Sequence, residues 1–303
     1  VNLPCSRQWD DADLPAPGSA SRASFWVALE QPGPWGHDAI ATSRLDNRLG
    51  PQLERACSEA GGRLLLIRRP GRHVALDGPH QVLVAGGLNG EPWLVEGALD
   101  DPWALLRAPF EELCGADPDA LTMALPELEE TREAALLVCA NGRRDVCCAV
   151  RGRPIATAAH AVHPGRVWEC SHTGGHRFAP TAVMLPSGQT YARLDEETAV
   201  EALEAERRRE IPLSLNDLRH NRGRSCLAPG GQAAEAAVRE QTGEVSLLAL
   251  TTRPDREADR WIVTHRDGRT WTVEVEQQDG PMLQSSCAKD AGRSGFWSAS
   301  IVG

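Results

Sequence analysis

The sequence predicts an α/β protein made of two similar units in tandem, followed by a small α+β segment. Short β-branched apolar runs alternate with helix-like stretches from Ala23 onward, and the order of these elements is nearly the same in the first and second thirds of the chain. The pattern then changes near Ile211, where a helix is followed by hairpin-like strands. The expected units are residues 20–128, 129–212 and 213–303.

In the first unit "SFWVALEQ" reads as a strand, "PGPWGHDA" as a turn-rich loop and residues 47–60 as a helix. "RLLLIRR", "HQVLVAGG" and "EPWLVEG" read as three strands, and "DPWALLRAPFEELCG" as a helix. An acidic, Pro-containing connector, "ALPELEETRE", leads to the second unit. There the strand "EAALLVCA" precedes a loop and a helix over residues 148–161, with Pro154 early enough that its missing N–H is tolerated. The strand "RVWECS", the loop "HTGGH", the hairpin "AVMLPSGQTYARL" and the helix "DEETAVEALEAERRRE" complete it. The third segment has a helix at "GQAAEAAVREQ", a strand in "EVSLLALTT", and a hairpin over residues 259–277 turning at Asp-Gly. Its tail, "MLQSSCAKDAGRSGFWSASIVG", is rich in Gly and Ser and is expected to be partly irregular.

The composition, 41% hydrophobic and 24% charged over 303 residues, is that of a soluble globular protein with no apolar run able to span a bilayer, so no membrane association is expected. The net charge of −10 argues against nucleic acid as a partner, because phosphate neutralisation needs a basic face. The first 24 residues lack the basic and apolar regions of a secretory signal and read as a loose leader on a cytoplasmic protein. Nine cysteines form an odd set without the spacing of a disulfide scaffold, so thiols or metal ligands are expected.

"VCANGRRDVCCAV" and "ECSHTGGHRFAP" carry the chemistry. Cys139 and Cys148 are nine apart, and His172 and His176 bracket Thr173-Gly174-Gly175. Both pairs follow predicted strands, where a rigid α/β scaffold places functional loops. The two glycines allow a tight loop that turns both imidazoles inward, and they would break a helix. A histidine pair is commonplace without any metal. Zinc accepts such a donor set, although eight residues between the thiols is long for it. The Cys-x-x-Cys of a disulfide oxidoreductase is absent, and the vicinal pair Cys147-Cys148 would strain the chain if bridged.

At "VCANGRRDVCCAVRGRP" and "WECSHTGGHRFAPTAVMLPSG" the chain resembles the sucrase/ferredoxin-like family, and "EQPGPWGHDA" and "RGRSCLAPGGQAAEAAV" extend the resemblance over most of its length. The resemblance implies two thioredoxin-like units, the second a thioredoxin-like ferredoxin with a 2Fe-2S cluster on Cys139, Cys148, His172 and His176. Cys147 is a substitute for Cys148 on adjacency alone, and Cys170 is close enough to His172 to compete.

Such a protein would shuttle single electrons to and from a redox partner protein, as a carrier before an enzyme. Replacing two thiolates by neutral imidazoles raises the potential into the roughly −150 to +300 mV range of Rieske-type centres. The free imidazole nitrogens would couple electron to proton transfer, so the potential should fall as pH rises. Direct reduction of a small oxidant such as a ferric chelate, and a structural zinc module that binds a partner, are the alternatives. Glycoside hydrolysis gains no support, because no Asp/Glu pair stands out for it. Residues 139–177 hold six arginines against two acidic residues, which either pair locally or form a docking patch that includes Arg143, Arg144 and Arg177.

Overall fold

A computed structural model of the chain describes residues 3–71 and 78–303. A short helix, α1 (Cys5–Asp11), precedes β1 (Trp26–Glu30), α2 (Ala39–Thr42), α3 (Leu49–Glu59), β2 (Arg63–Arg68), β3 (His80–Gly86) and β4 (Trp93–Leu99). Two 3-10 turns, Pro102–Arg107 and Phe110–Glu112, lead to α4 (Asp119–Ala124) and β5 (Leu128–Thr131). The second unit runs β6 (Ala135–Cys139), α5 (Val146–Val162), β7 (Val167–Cys170), β8 (Ala182–Leu185), β9 (Gln189–Tyr191) and α6 (Glu196–Arg207). The third segment holds β10 (Asn221–Arg224), α7 (Pro229–Thr242), β11 (Leu250–Pro254), β12 (Arg260–His265), β13 (Thr270–Gln284) and β14 (Ala291–Ile301).

The chain is a mixed α/β protein with one ten-stranded sheet, order β10-β9-β8-β6-β7-β2-β1-β3-β4-β5, and a second sheet, order β11-β12-β13-β14. Within the large sheet, β2-β1-β3-β4 and β7-β6-β8-β9 repeat one topology. β1/β2 and β6/β7 are parallel, whereas β1/β3, β3/β4, β6/β8 and β8/β9 are antiparallel. The halves join antiparallel at β2 and β7, where Ile67 faces Cys170 and Arg68 faces Glu169. The Arg68–Glu169 ion pair at this seam is 2.7 Å long, with side chains only 5% and 2% exposed. The third segment lends β10 to the edge of the large sheet.

Strand periodicity sorts the core. Val27, Leu29, Leu64 and Leu66 pack on one face with Leu49, Leu53 and Cys57 of α3, and Leu136, Val138 and Val167 pack with Ile155, Ala156 and Ala159 of α5. The alternate residues, Trp26, Ala28, Leu65, Ile67, Leu137, Cys139, Trp168 and Cys170, form one cluster across both halves on the opposite face. Burial on both faces is why these strands read as unbroken apolar runs.

Three expectations differ from the structure. Residues 5–11 of the expected loose leader form α1, with Cys5 and Trp9 buried; Val1 and Asn2 lie outside the described residues. The stretch 101–115 winds into 3-10 turns, because Pro109 cannot donate to a continuing α-helix. The Gly- and Ser-rich tail is mostly strand: β14 pairs with β13 from Ile301 opposite Val273 to Ala291 opposite Gln284, and the partner ladder overrides weak local propensity. Among the described residues no helix is long and apolar enough to cross a membrane.

Candidate metal centre

Cys139 is the last residue of β6, and its parallel neighbour β7 ends at Cys170, two residues before His172. The thiol and the histidine loop therefore emerge together at the carboxyl ends of adjacent parallel strands, the usual ligand edge of such a sheet. Asp145 caps α5, accepting from Cys147 N at 2.9 Å, and sets Cys147 and Cys148 in the first turn. The partial positive charge of that helix end favours thiolates there. The ligand atoms of Cys139, Cys148 and His172 lie within 4.8 Å of one another, with Cys139 Sγ 3.8 Å from His172 Nδ1. The His176 ring follows, 4.9 Å from the His172 ring between centroids.

The histidine loop is held from three sides. Gly174 and Gly175 take φ of +83° and +76°, left-handed values that a side chain resists. Ser21 Oγ donates to Thr173 O at 2.6 Å, and Arg222 Nη1 of β10 donates to Gly174 O at 3.1 Å. The thiol loop is tied to the first half, where Asn141 Nδ2 donates to Gly36 O at 3.1 Å. Both thiols are buried while both imidazoles are only half-buried, so the centre is shut on its sulfur side and open on its histidine side.

The Cys139 sulfur accepts from the Cys148 thiol and lies against His172, which holds it well below the usual thiol range despite burial. Cys148, as donor beside that anion and buried, is pushed well up. Burial lowers His176, favouring the neutral ring, against the pull of Asp145. Arg222 is fully buried, and burial with the neighbouring Arg177 brings it down to about 9 while the sulfurs of Cys139 and Cys148 draw it back up. A cation is thus embedded beside two sulfurs.

All four residues expected to act together lie in this one region, with Cys139, Cys148 and His172 in the tightest group and His176 beside them. Cys147 and Cys148 diverge: Cys148 faces Cys139, and Cys147 faces Cys5 and Cys287. Cys170 is fully buried in the core cluster of the sheet. Arg143 is exposed, Arg144 Nη1 lies 3.2 Å from His37 Nδ1, and Arg177 is half-buried with its guanidinium over the Trp9 and Phe178 rings. Arg151 and Arg166 of the same stretch are ion-paired to Asp10 and Glu96. Sequence reasoning missed Arg222 and Asp145. Arg222 falls inside the quoted "RGRSC", but nothing local marks a guanidinium that folds inward.

His176 Nδ1 is buried with no hydrogen-bond partner, the state of a donor atom awaiting a ligand, whereas its Nε2 lies 3.7 Å from Asp145 Oδ2. Two thiols and two imidazoles around one small space fit either a 2Fe-2S cluster or a zinc ion. A family model described as sucrase/ferredoxin-like matches residues 16–212. No curated protein and no solved structure matches the chain.

Proposed function

Because the chain belongs to the sucrase/ferredoxin-like family, we propose that it is a single-electron carrier with a 2Fe-2S cluster on Cys139, Cys148, His172 and His176. The second repeat would then be its thioredoxin-like ferredoxin unit and the first a degenerate copy. The observation that carries this reading is the convergence of Cys139, Cys148 and His172 within 4.8 Å beside the unpartnered Nδ1 of His176.

When bound, such a cluster supplies reversible one-electron exchange. Cys139 and Cys148 would hold it as thiolates from the buried side. His172 would bind through Nδ1, the atom nearest Cys139, and His176 through its unpartnered Nδ1. Each ring then keeps Nε2 to hold or release a proton, and at His176 that proton faces Asp145. The half-buried histidines give this proton a route to solvent, and buried Arg222 offsets negative charge at the sulfurs. Arg143, exposed beside the thiol loop, belongs to the surface on which an acidic redox partner would dock.

The compactness of the Cys139–Cys148–His172 group also suits a single zinc ion, which makes a structural module the second reading. An absorbance spectrum of anaerobically purified protein, with iron, sulfide and zinc measured in the same sample, decides between them. Two irons and two sulfides per chain, with colour that bleaches under dithionite and is lost in Cys139→Ser, are expected. The potential should then fall with rising pH by about 59 mV per unit for each imidazole proton released with the electron's removal. Colourless protein with zinc and no sulfide after iron and sulfide reconstitution would sink the carrier reading.

A further inference from the structure

A second cluster of thiols lies across the first turn of α5. Cys5 Sγ is 3.5 Å from Cys147 Sγ, Cys147 Sγ is 3.1 Å from Cys287 Sγ, and Cys287 Sγ is 3.5 Å from Cys5 Sγ. The Asp145 carboxylate completes the group, both oxygens 3.9 Å from Cys5 Sγ, and the four donor atoms lie within 4.8 Å of one another. We propose that Cys5, Cys147, Cys287 and Asp145 form a structural zinc site that pins α1 and the β13–β14 connection onto helix α5.

Three contacts on the carboxylate orient it: Cys147 N donates to Oδ1 at 2.9 Å, and Cys287 N and Ser286 Oγ donate to Oδ2 at 2.9 Å each. A carboxylate offers about four lone-pair sites, so one remains for a cation. The Asp145 side chain is fully buried, and a bound zinc ion would balance both this buried carboxylate and the thiols that give up their protons to bind it. At a Zn–S distance of about 2.3 Å, tetrahedral sulfurs stand roughly 3.8 Å apart, so the observed triangle need open by only about 0.3–0.7 Å. The backbone N–H of Cys5 donates to Cys287 Sγ at 3.4 Å, a contact that suits a metal-bound thiolate. Zinc accepts both thiolate sulfur and carboxylate oxygen in a four-coordinate tetrahedral site, which suits three sulfurs and one Asp oxygen.

The placement gives the ion its task. Cys5 lies on α1 and Cys287 between β13 and β14, both outside residues 16–212, while Cys147 precedes Cys148. The ion would close a loop of 282 residues in sequence onto the turn that presents Cys148. It would fasten α1 and the β13–β14 connection beside the Cys-His centre, touching that centre through Asp145, whose Oδ2 lies 3.7 Å from His176 Nε2, and the site stands whether that centre holds iron or zinc.

Zinc ion alone, titrated into reduced, metal-free full-length protein carrying Cys139→Ser and His172→Ala, tests this, with a colorimetric chelator as competitor. One equivalent should bind, cobalt(II) in its place should give a thiolate charge-transfer band, and adding Cys287→Ser or Cys5→Ser should weaken zinc at least 100-fold. A Cys114→Ser control should bind unchanged. Near-ultraviolet circular dichroism identifies any variant that has lost its fold, and the cobalt band on the parent reads the thiolates independently of those variants. No thiolate band on cobalt, zinc retained at full affinity in Cys287→Ser, or a disulfide among the three cysteines in freshly isolated protein would overturn the proposal.

Discussion

Replacing Gly175 with alanine tests whether the histidine loop is shaped by Arg222. Gly175 has φ 76° and ψ 34°, so any side chain there costs about 1–2 kcal/mol in backbone strain. A Cβ would also stand 2.3 Å from Arg222 Nη2 and 2.7 Å from Cζ. That guanidinium cannot swing into solvent: it is fully buried and donates to Ser19 Oγ at 3.0 Å, Gly174 O at 3.1 Å and Ser19 O. Making room breaks at least one charge-assisted bond, about 1.5–3 kcal/mol more. The expected total is about 2.5–5 kcal/mol. Gly243, the C-cap of α7, is the matched control, with φ 70°, ψ 17° and nothing within 4 Å of an added Cβ, so Gly243→Ala should cost only the backbone part. Urea unfolding of both variants gives the comparison, and metal content should fall in Gly175→Ala alone because His176 moves with its neighbour. Equal losses of stability in the two variants would refute the claim that Arg222 shapes the loop.

Glu206 is buried, accepts from Ser187 N and Oγ at 2.8 Å each, and is pushed up to about 7 by burial. The folded protein therefore keeps a proton that the unfolded chain releases near 4.5, and stability should drop by about 2–3 kcal/mol between pH 5 and 8, a fall that Glu206→Gln removes from urea melts across that window. At the seam between the halves, Arg68→Ala takes from the buried Glu169 carboxylate its 2.7 Å partner, leaving Arg153 at 3.9 Å, and should cost up to about 3–5 kcal/mol, with much of that recovered in Arg68→Met/Glu169→Leu; an additive double variant would argue against the pair. Trp9 is 1% exposed, packs edge-on against Phe178 at 5.1 Å and donates to Gln284 O at 3.0 Å, so Trp9→Ala should cost about 3–5 kcal/mol and speed proteolysis near residues 5–16.

Local signals sufficed wherever one segment carries its own reason. The apolar runs of β1, β2 and β6, the helix that begins at Asp195, and the glycines between His172 and His176 were legible because sterics and burial act within a few residues. The tail was not, because the ladder that straightens residues 291–301 belongs to β13. The repeated order of strands was legible too, but not that β2 would pair with β7 and merge both units into one sheet. That pairing depends on an edge-to-edge fit, which has no sequence period.

The candidate centre divides in the same way. The sequence by itself determined the donor types and the two loops that bear them, since Cys139, Cys148, His172 and His176 each sit beside a recognisable strand end or helix start. Only the tertiary structure decided which way adjacent thiols turn. Successive helical residues point about 100° apart, so Cys148 meets Cys139 while Cys147 meets Cys5 and Cys287, from opposite ends of the chain. It also brought Arg222 inward to the sulfurs and the histidine loop. These contacts of Cys147 and Arg222 join residues 48 to 142 positions apart, and long-range packing of that kind leaves no mark on the segments that make it.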